Sequence, residues 1–185
     1  MDGRLRNTFT AIFLLVPLVA GAQEGKWYLH IRGGKALEPF LGSEDPREFL
    51  SVGMSYARPD PRLRFRRHLA EFVMEAQFER SHSHGASGQP ANYTDSVGLA
   101  AAARYRWGKN FFLDIGWGLQ YSDQRTVDLN SRLNSTPFVG GGLSFRHRGS
   151  EYLVGARFFH LSNAGLEGDN QGSNQLGFFL AVQFR

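Results

Sequence analysis

From Gln23 onward, apolar and polar residues change places at every second position, segment after segment. Trp27, Leu29 and Ile31 alternate with Tyr28, His30 and Arg32; Leu50, Val52, Met54 and Tyr56 alternate with Ser51, Gly53, Ser55 and Ala57. Ala70, Phe72, Met74, Ala76 and Phe78 likewise oppose Glu71, Val73, Glu75, Gln77 and Glu79, and the pattern recurs over 97–107, 111–121, 138–146, 152–162 and 176–184. Successive side chains of a strand point to opposite faces, so the chain predicts about eight strands, with no competing helical period of similar length.

The connections alternate in length. Short links are expected at Arg58-Pro-Asp-Pro-Arg62, Gly108-Lys109 and Arg148-Gly149-Ser150, and long polar loops at about 33–47, 81–92, 123–136 and 163–174. Short turns on one rim and long loops on the other are the layout of an outer-membrane barrel, with the turns and both termini in the periplasm.

The polarity of the two faces agrees. One face is almost free of charge, while the other carries Glu71, Glu75, Glu79, Asp114, Arg104, Arg106, Arg146 and Arg157. A water-soluble barrel reverses this arrangement. An eight-stranded barrel has room inside only for side chains, so the acids and bases are expected to form a paired plug. Trp27, Tyr56, Trp107, Phe111, Phe145, Tyr152 and Phe184 fall at the periplasmic end of the apolar face, where aromatic rings favour the membrane interface. The fold class is therefore all-β: an eight-stranded antiparallel transmembrane β-barrel of the outer-membrane type. The alternative, a secreted β-sandwich, does not explain the alternation of loop lengths.

Composition changes the picture in two places. Residues 1–22 read as a signal peptide, with Arg4 and Arg6 before an apolar run over 11–20 and Ala20-Gly21-Ala22 at its end, which leaves 23–185 as the barrel. There is no cysteine, so neither disulfides nor thiolate metal sites hold the chain together. The net charge of +4 is small and scattered, which argues against a nucleic-acid partner.

Candidate chemistry lies at the end of the seventh strand. His160 and Ser162 share one face, where an imidazole can take the proton of a hydroxyl nucleophile. That face is the outward, lipid-facing one, and a polar pair there calls for a functional reason. The stretch His160-Leu-Ser162-Asn163-Ala164-Gly165, followed by Asn170-x-Gly172, resembles the active-site segment of the lipid A 3-O-deacylases of the PagL family. The ending Phe178-x-Leu180-x-Val182-x-Phe184 is similar to outer-membrane C-terminal signatures, although Arg185 follows it.

The resemblance implies an outer-membrane serine esterase that removes the ester-linked 3-hydroxyacyl chain at position 3 of lipid A. Ser162 is then the nucleophile and His160 its base, with Asn163, the backbone N–H of Gly165 and Asn170 as candidate oxyanion donors. The family pattern has a glutamate twelve residues after the serine, and this chain has Asn174 there. An asparagine can orient an imidazole but cannot balance its positive charge; Glu167 and Asp169, on the same loop, are the alternative third members. No metal or organic cofactor is needed. The expected partners are lipid A or lipopolysaccharide as substrate and the surrounding outer-membrane lipids, with a homodimer left open.

Two competing readings are a non-catalytic barrel that binds lipopolysaccharide or a surface partner through its long loops, and a calcium-dependent phospholipase. His82 and His84 are expected in a solvated loop, and His30, His68 and His147 at strand ends as interfacial or lumen residues. Arg32, Lys35, Arg47, Arg80, Arg125 and Arg132 lie toward the outer rim as candidate partners for lipid A phosphates.

Overall fold

The computed structural model describes residues 25–37, 45–65, 68–85, 90–126, 129–166, 168 and 170–184; the expected leader lies outside them. Every regular element among them is a strand: β1 (Lys26–Ala36), β2 (Glu48–Phe65), β3 (His68–Ser83), β4 (Asn92–Trp107), β5 (Phe111–Ser122), β6 (Leu133–Ser135), β7 (Phe138–His147), β8 (Ser150–Leu161) and β9 (Ser173–Gln183). Neighbouring strands pair antiparallel from β1 to β5, β5 pairs with β7, and β8 and β9 lead back to β1. The sheet closes on itself as an eight-stranded barrel, and closure removes the open edges that hydrocarbon does not tolerate.

The three-residue β6 is the outer end of β7. Leu119 opposes Ser135 and Gly116 opposes Phe138 in one unbroken register. Between them stands Pro137, which has no N–H to give the ladder. The loop expected over 123–136 therefore ends early, at Leu133. The stretch from Arg58 to Arg62, expected as a turn, is strand instead: β2 runs on to Phe65, and a register shift between Asp60 and Arg64 accommodates its prolines. The short links fall on one rim, at Gly108–Asn110 and Arg148–Gly149, and the long connections on the other. Positive φ at both Arg148 and Gly149 gives the primed two-residue turn that suits strand twist.

Side-chain parity follows the sequence pattern. Leu29, Ile31, Leu50, Val52, Leu99, Ile115, Trp117, Val154 and Phe178 point outward and are exposed. At the turn end of this surface, Trp27 packs on Tyr56 with ring centroids 5.0 Å apart, and Phe145 stacks on Tyr152 at 5.3 Å.

The lumen holds the expected plug. Arg157 makes a bidentate pair with Glu75 at 2.6 and 2.8 Å and reaches Asp114 at 3.4 Å; Asp114 also binds Arg104 at 2.7 and 2.9 Å. Nearer the turns, Arg106 joins Glu71 and Glu151, and Lys26 and Tyr28 also bind Glu151. Aromatic rings fill the gaps: the Arg157 guanidinium lies 4.0 Å from the Phe138 centroid, and Arg104 lies 5.0 Å from Phe112. Three residues differ from expectation. Arg146 is near the turn and exposed; His30 is in mid-strand, beside a cavity of about 10 Å³ that it shares with Ser55, Glu75, Arg104 and Arg157. Arg32 is buried in the lumen between Phe49 and Phe159, because its parity sends it inward at whatever height it sits.

Removing one partner of this network leaves a buried charge unbalanced. Arg157→Met is expected to destabilise the barrel by about 3–5 kcal/mol in urea unfolding from detergent micelles. Adding Glu75→Gln is expected to recover part of that loss, since Asp114 keeps Arg104.

Candidate active site at the outer end of β8

His160 is the last outward residue of β8, and β9 places Asn174 directly across from it. The imidazole Nδ1 lies 2.8 Å from Asn174 Oδ1. An amide oxygen only accepts, so the proton belongs on Nδ1 and Nε2 keeps its lone pair, as a general base requires. Asn174 is fixed from its other side, where its carbonyl accepts from Leu37 N at 2.8 Å. Gly172 backs the ring: it has φ of +71°, and a Cβ there would lie 2.5 Å from His160 Cε1. Only glycine leaves room for the imidazole at this place.

Ser162 follows β8 and bridges to Ser135 of β6. Ser135 N donates to Ser162 O at 2.7 Å and Ser162 N donates to Ser135 O at 3.1 Å. Among the described residues, the Ser162 hydroxyl bonds to Ser135 Oγ at 3.3 Å rather than to His160. Nucleophile–base contacts are often loose until substrate binds. Ser135 falls within the stretch expected as a loop, because Pro137 interrupts the strand pattern next to it. The signal was there: Val139, Pro137 and Ser135 continue the outward parity of β7 past the proline.

The loop beyond Ser162 is organised by Asn163. Leu166 N donates to Asn163 O at 3.1 Å, and Ala164 and Gly165 both have positive φ, as in a primed turn. The Asn163 side chain is buried; its Oδ1 accepts from Gly165 N at 2.8 Å and its Nδ2 donates to Leu129 O at 2.8 Å. Asn163 N in turn donates to Asn170 Oδ1 at 3.1 Å. Of the expected oxyanion donors, the backbone N–H groups of Asn163 and Gly165 are thus engaged within the loop, whereas the exposed Asn170 keeps its Nδ2 as a donor. Glu167 and Asp169 lie outside the described residues.

Below this row the outward face carries an apolar groove of about 640 Å³. Gly33, Gly141 and Ala156 form its floor, and Leu50, Ile31, Phe178 and Leu180 rise around it. Ala156 lies four residues down β8 from His160, about 13 Å along the strand.

The rim cations divide by parity and pairing. Arg32 is in the lumen and Arg47 is buried against Asp45 at 2.9 Å, so neither is available to a ligand outside. Lys35, Arg80, Arg125 and Arg132 are exposed; Arg80 pairs with Asp95, and Arg125 bonds to Asn130. His82 stacks on Tyr93 with centroids 4.3 Å apart and packs against His84, and no cluster of three metal-ligating side chains occurs among the described residues.

A family model described as lipid A 3-O-deacylase (PagL) matches residues 61–183. Among solved structures, the barrel is similar to the crystal structure of the outer membrane enzyme PagL, at 18% identity and a TM-score of 0.56 over 83% of this chain and 97% of that one. It is also similar to a de novo designed transmembrane β-barrel, at 10% identity and a TM-score of 0.51 over 88% and 98%. At these identities the structural likeness is one of fold. No curated protein matches the sequence.

Asn163→Ala removes the clasp on Leu129 and on Gly165 N while leaving every ladder bond in place. Faster proteolysis within 123–132 on intact cells is the expected result, with the heat-modifiable gel mobility of a folded barrel unchanged.

Proposed function

This chain belongs to the lipid A 3-O-deacylase (PagL) family, and we propose that it is an outer-membrane serine esterase that removes the 3-hydroxyacyl chain ester-linked at position 3 of lipid A. It is an integral outer-membrane barrel, and the family is one of hydrolases acting on lipid A. The observation that carries the reading is the row Ser135, Ser162, His160 and Asn174 on the outward face of the barrel, above an apolar groove on the same wall.

In this reading Ser162 Oγ attacks the ester carbonyl while His160 Nε2 takes its proton. The imidazolium then protonates the departing sugar oxygen, and water repeats the cycle on the acyl-enzyme. Asn174 holds the ring through Nδ1 in the orientation that frees Nε2. Being neutral, it does not offset the charge the ring acquires, so the chemical step is slower than with a carboxylate. Asn170 contributes a donor to the oxyanion. The acyl chain transferred to Ser162 lies along the wall toward the groove at Ala156, still within the apolar environment of the outer leaflet, while the sugar and phosphates face the outer rim. Lys35, Arg80, Arg125 and Arg132 are the exposed cations available there.

Mass spectrometry of lipid A from cells making this chain is expected to show loss of one 3-hydroxyacyl group, and Ser162→Ala to abolish that loss. Unchanged lipid A with both barrels folded would favour the reading in which the long loops bind lipopolysaccharide or a surface partner without cleaving lipid A. Asn174→Glu is expected to raise kcat, by less than the ~10⁴ that a serine protease loses through the wrong tautomer when its aspartate becomes asparagine, because Asn174 Oδ1 already selects the Nδ1–H tautomer of His160. Ala156→Phe fills the groove floor and is expected to raise KM for long acyl chains, leaving short-chain esters little affected.

A further inference from the structure

We propose that Ser135 is a further catalytic residue, whose hydroxyl donates a hydrogen bond to the oxyanion formed at Ser162. The inference rests on the deacylase reading and assigns a role that the sequence motif does not contain.

Three observations support it. The two backbone bonds between Ser135 and Ser162 fix the residues side by side, with both side chains on the outward face. The hydroxyls are 3.3 Å apart, long for a hydroxyl pair, so the Ser135 O–H is not locked to Ser162 and is free to turn. Ser135 Oγ has no other side-chain partner among the described residues. By contrast, the backbone N–H groups of Asn163 and Gly165 and the Asn163 amide are occupied by Asn170, by Asn163 Oδ1 and by Leu129. The Ser135 hydroxyl has only its long 3.3 Å contact with Ser162 to give up.

The oxyanion grows on the carbon that becomes bonded to Ser162 Oγ, so it stands one bond angle away from that atom. As Ser162 Oγ bonds this carbon, its proton passes to His160 Nε2 and the carbonyl π pair moves onto oxygen. Ser135 Oγ–H turns to that oxygen while Ser162 gives up its contact with Ser135. When the carbonyl re-forms, the bond to the sugar oxygen breaks and that oxygen takes the proton from His160. Ser135 exchanges no proton; it lowers the energy of the charged intermediate. The short hairpin turn at Arg148–Gly149 sets the register that brings Ser135 to this place.

The test compares the parent, Ser135→Ala and Ser135→Thr in detergent-solubilised folded barrels. Each is measured for kcat and KM on lipid A and for affinity toward an alkylboronic acid, which forms a tetrahedral adduct with a nucleophilic serine. Ser135→Ala is expected to lower kcat about 10²-fold with KM within twofold, and to weaken the boronate in parallel; Ser135→Thr, which keeps the hydroxyl, is expected to restore both. A Ser135→Ala kcat within threefold of the parent would overturn the proposal, as would a loss confined to KM or an alanine loss that threonine fails to rescue. If the parent itself leaves lipid A intact, the deacylase reading fails, and the boronate series still decides whether Ser135 stabilises a tetrahedral centre at Ser162.

Discussion

The ion chain Glu75–Arg157–Asp114–Arg104 is the interaction on which the rest of this molecule depends. A barrel whose outer surface is apolar has its polar side chains turned inward, and an eight-stranded lumen has no space to hydrate them. Charges in that position are tolerable only when paired and packed. Bidentate guanidinium contacts and aromatic rings against the guanidinium faces meet both conditions at once. The strands that contribute these residues, β3, β4, β5 and β8, are thereby tied across the barrel as well as around it. The site strand β8 is held from inside through Arg157, three residues before His160.

Rigidity below the candidate site matters because the site sits at the barrel's edge. His160 stands on strand, opposite Asn174 on strand, while Ser162 is one bridge beyond the end of β8. Its place is fixed by Ser135 on one side and by the Asn163 turn on the other. Asn163 is an anchor in this arrangement: every polar group of its side chain faces another loop or its own turn. The connection that carries Leu129 and the turn after Ser162 are joined by the Asn163–Leu129 contact. The same wall carries an apolar groove, and three small outward residues, Gly33, Gly141 and Ala156, make room for it without any break in the ladder.

Much of this was legible along the chain. Period-two alternation gave the strands and their inward and outward faces because a strand's geometry ties side-chain direction to position alone. His160, Ser162 and Asn174 were legible as a motif, and the first two shared a face by parity. Pairing partners were not. The prolines at 59 and 61 read as a turn, yet a register shift let β2 pass through them. Pro137 hid β6, because the strand's interruption looked like its end. Arg32 and Arg47 read as rim cations because sequence gives height along a strand more readily than it gives burial.

By itself, then, the sequence determined the fold class, the two faces and the placing of His160 and Ser162 on one face, all of which depend on local order along the strands. Only the tertiary structure decided that Ser135 is the cross-strand neighbour of Ser162, that Asn174 meets His160 Nδ1, and that the lumen charges pair as they do. Those contacts join residues distant in sequence, and their register is set by turns, bulges and barrel closure acting together. A one-residue slip in any strand would turn its side chains to the opposite face. No single segment carries that information, because it is a property of the closed ring.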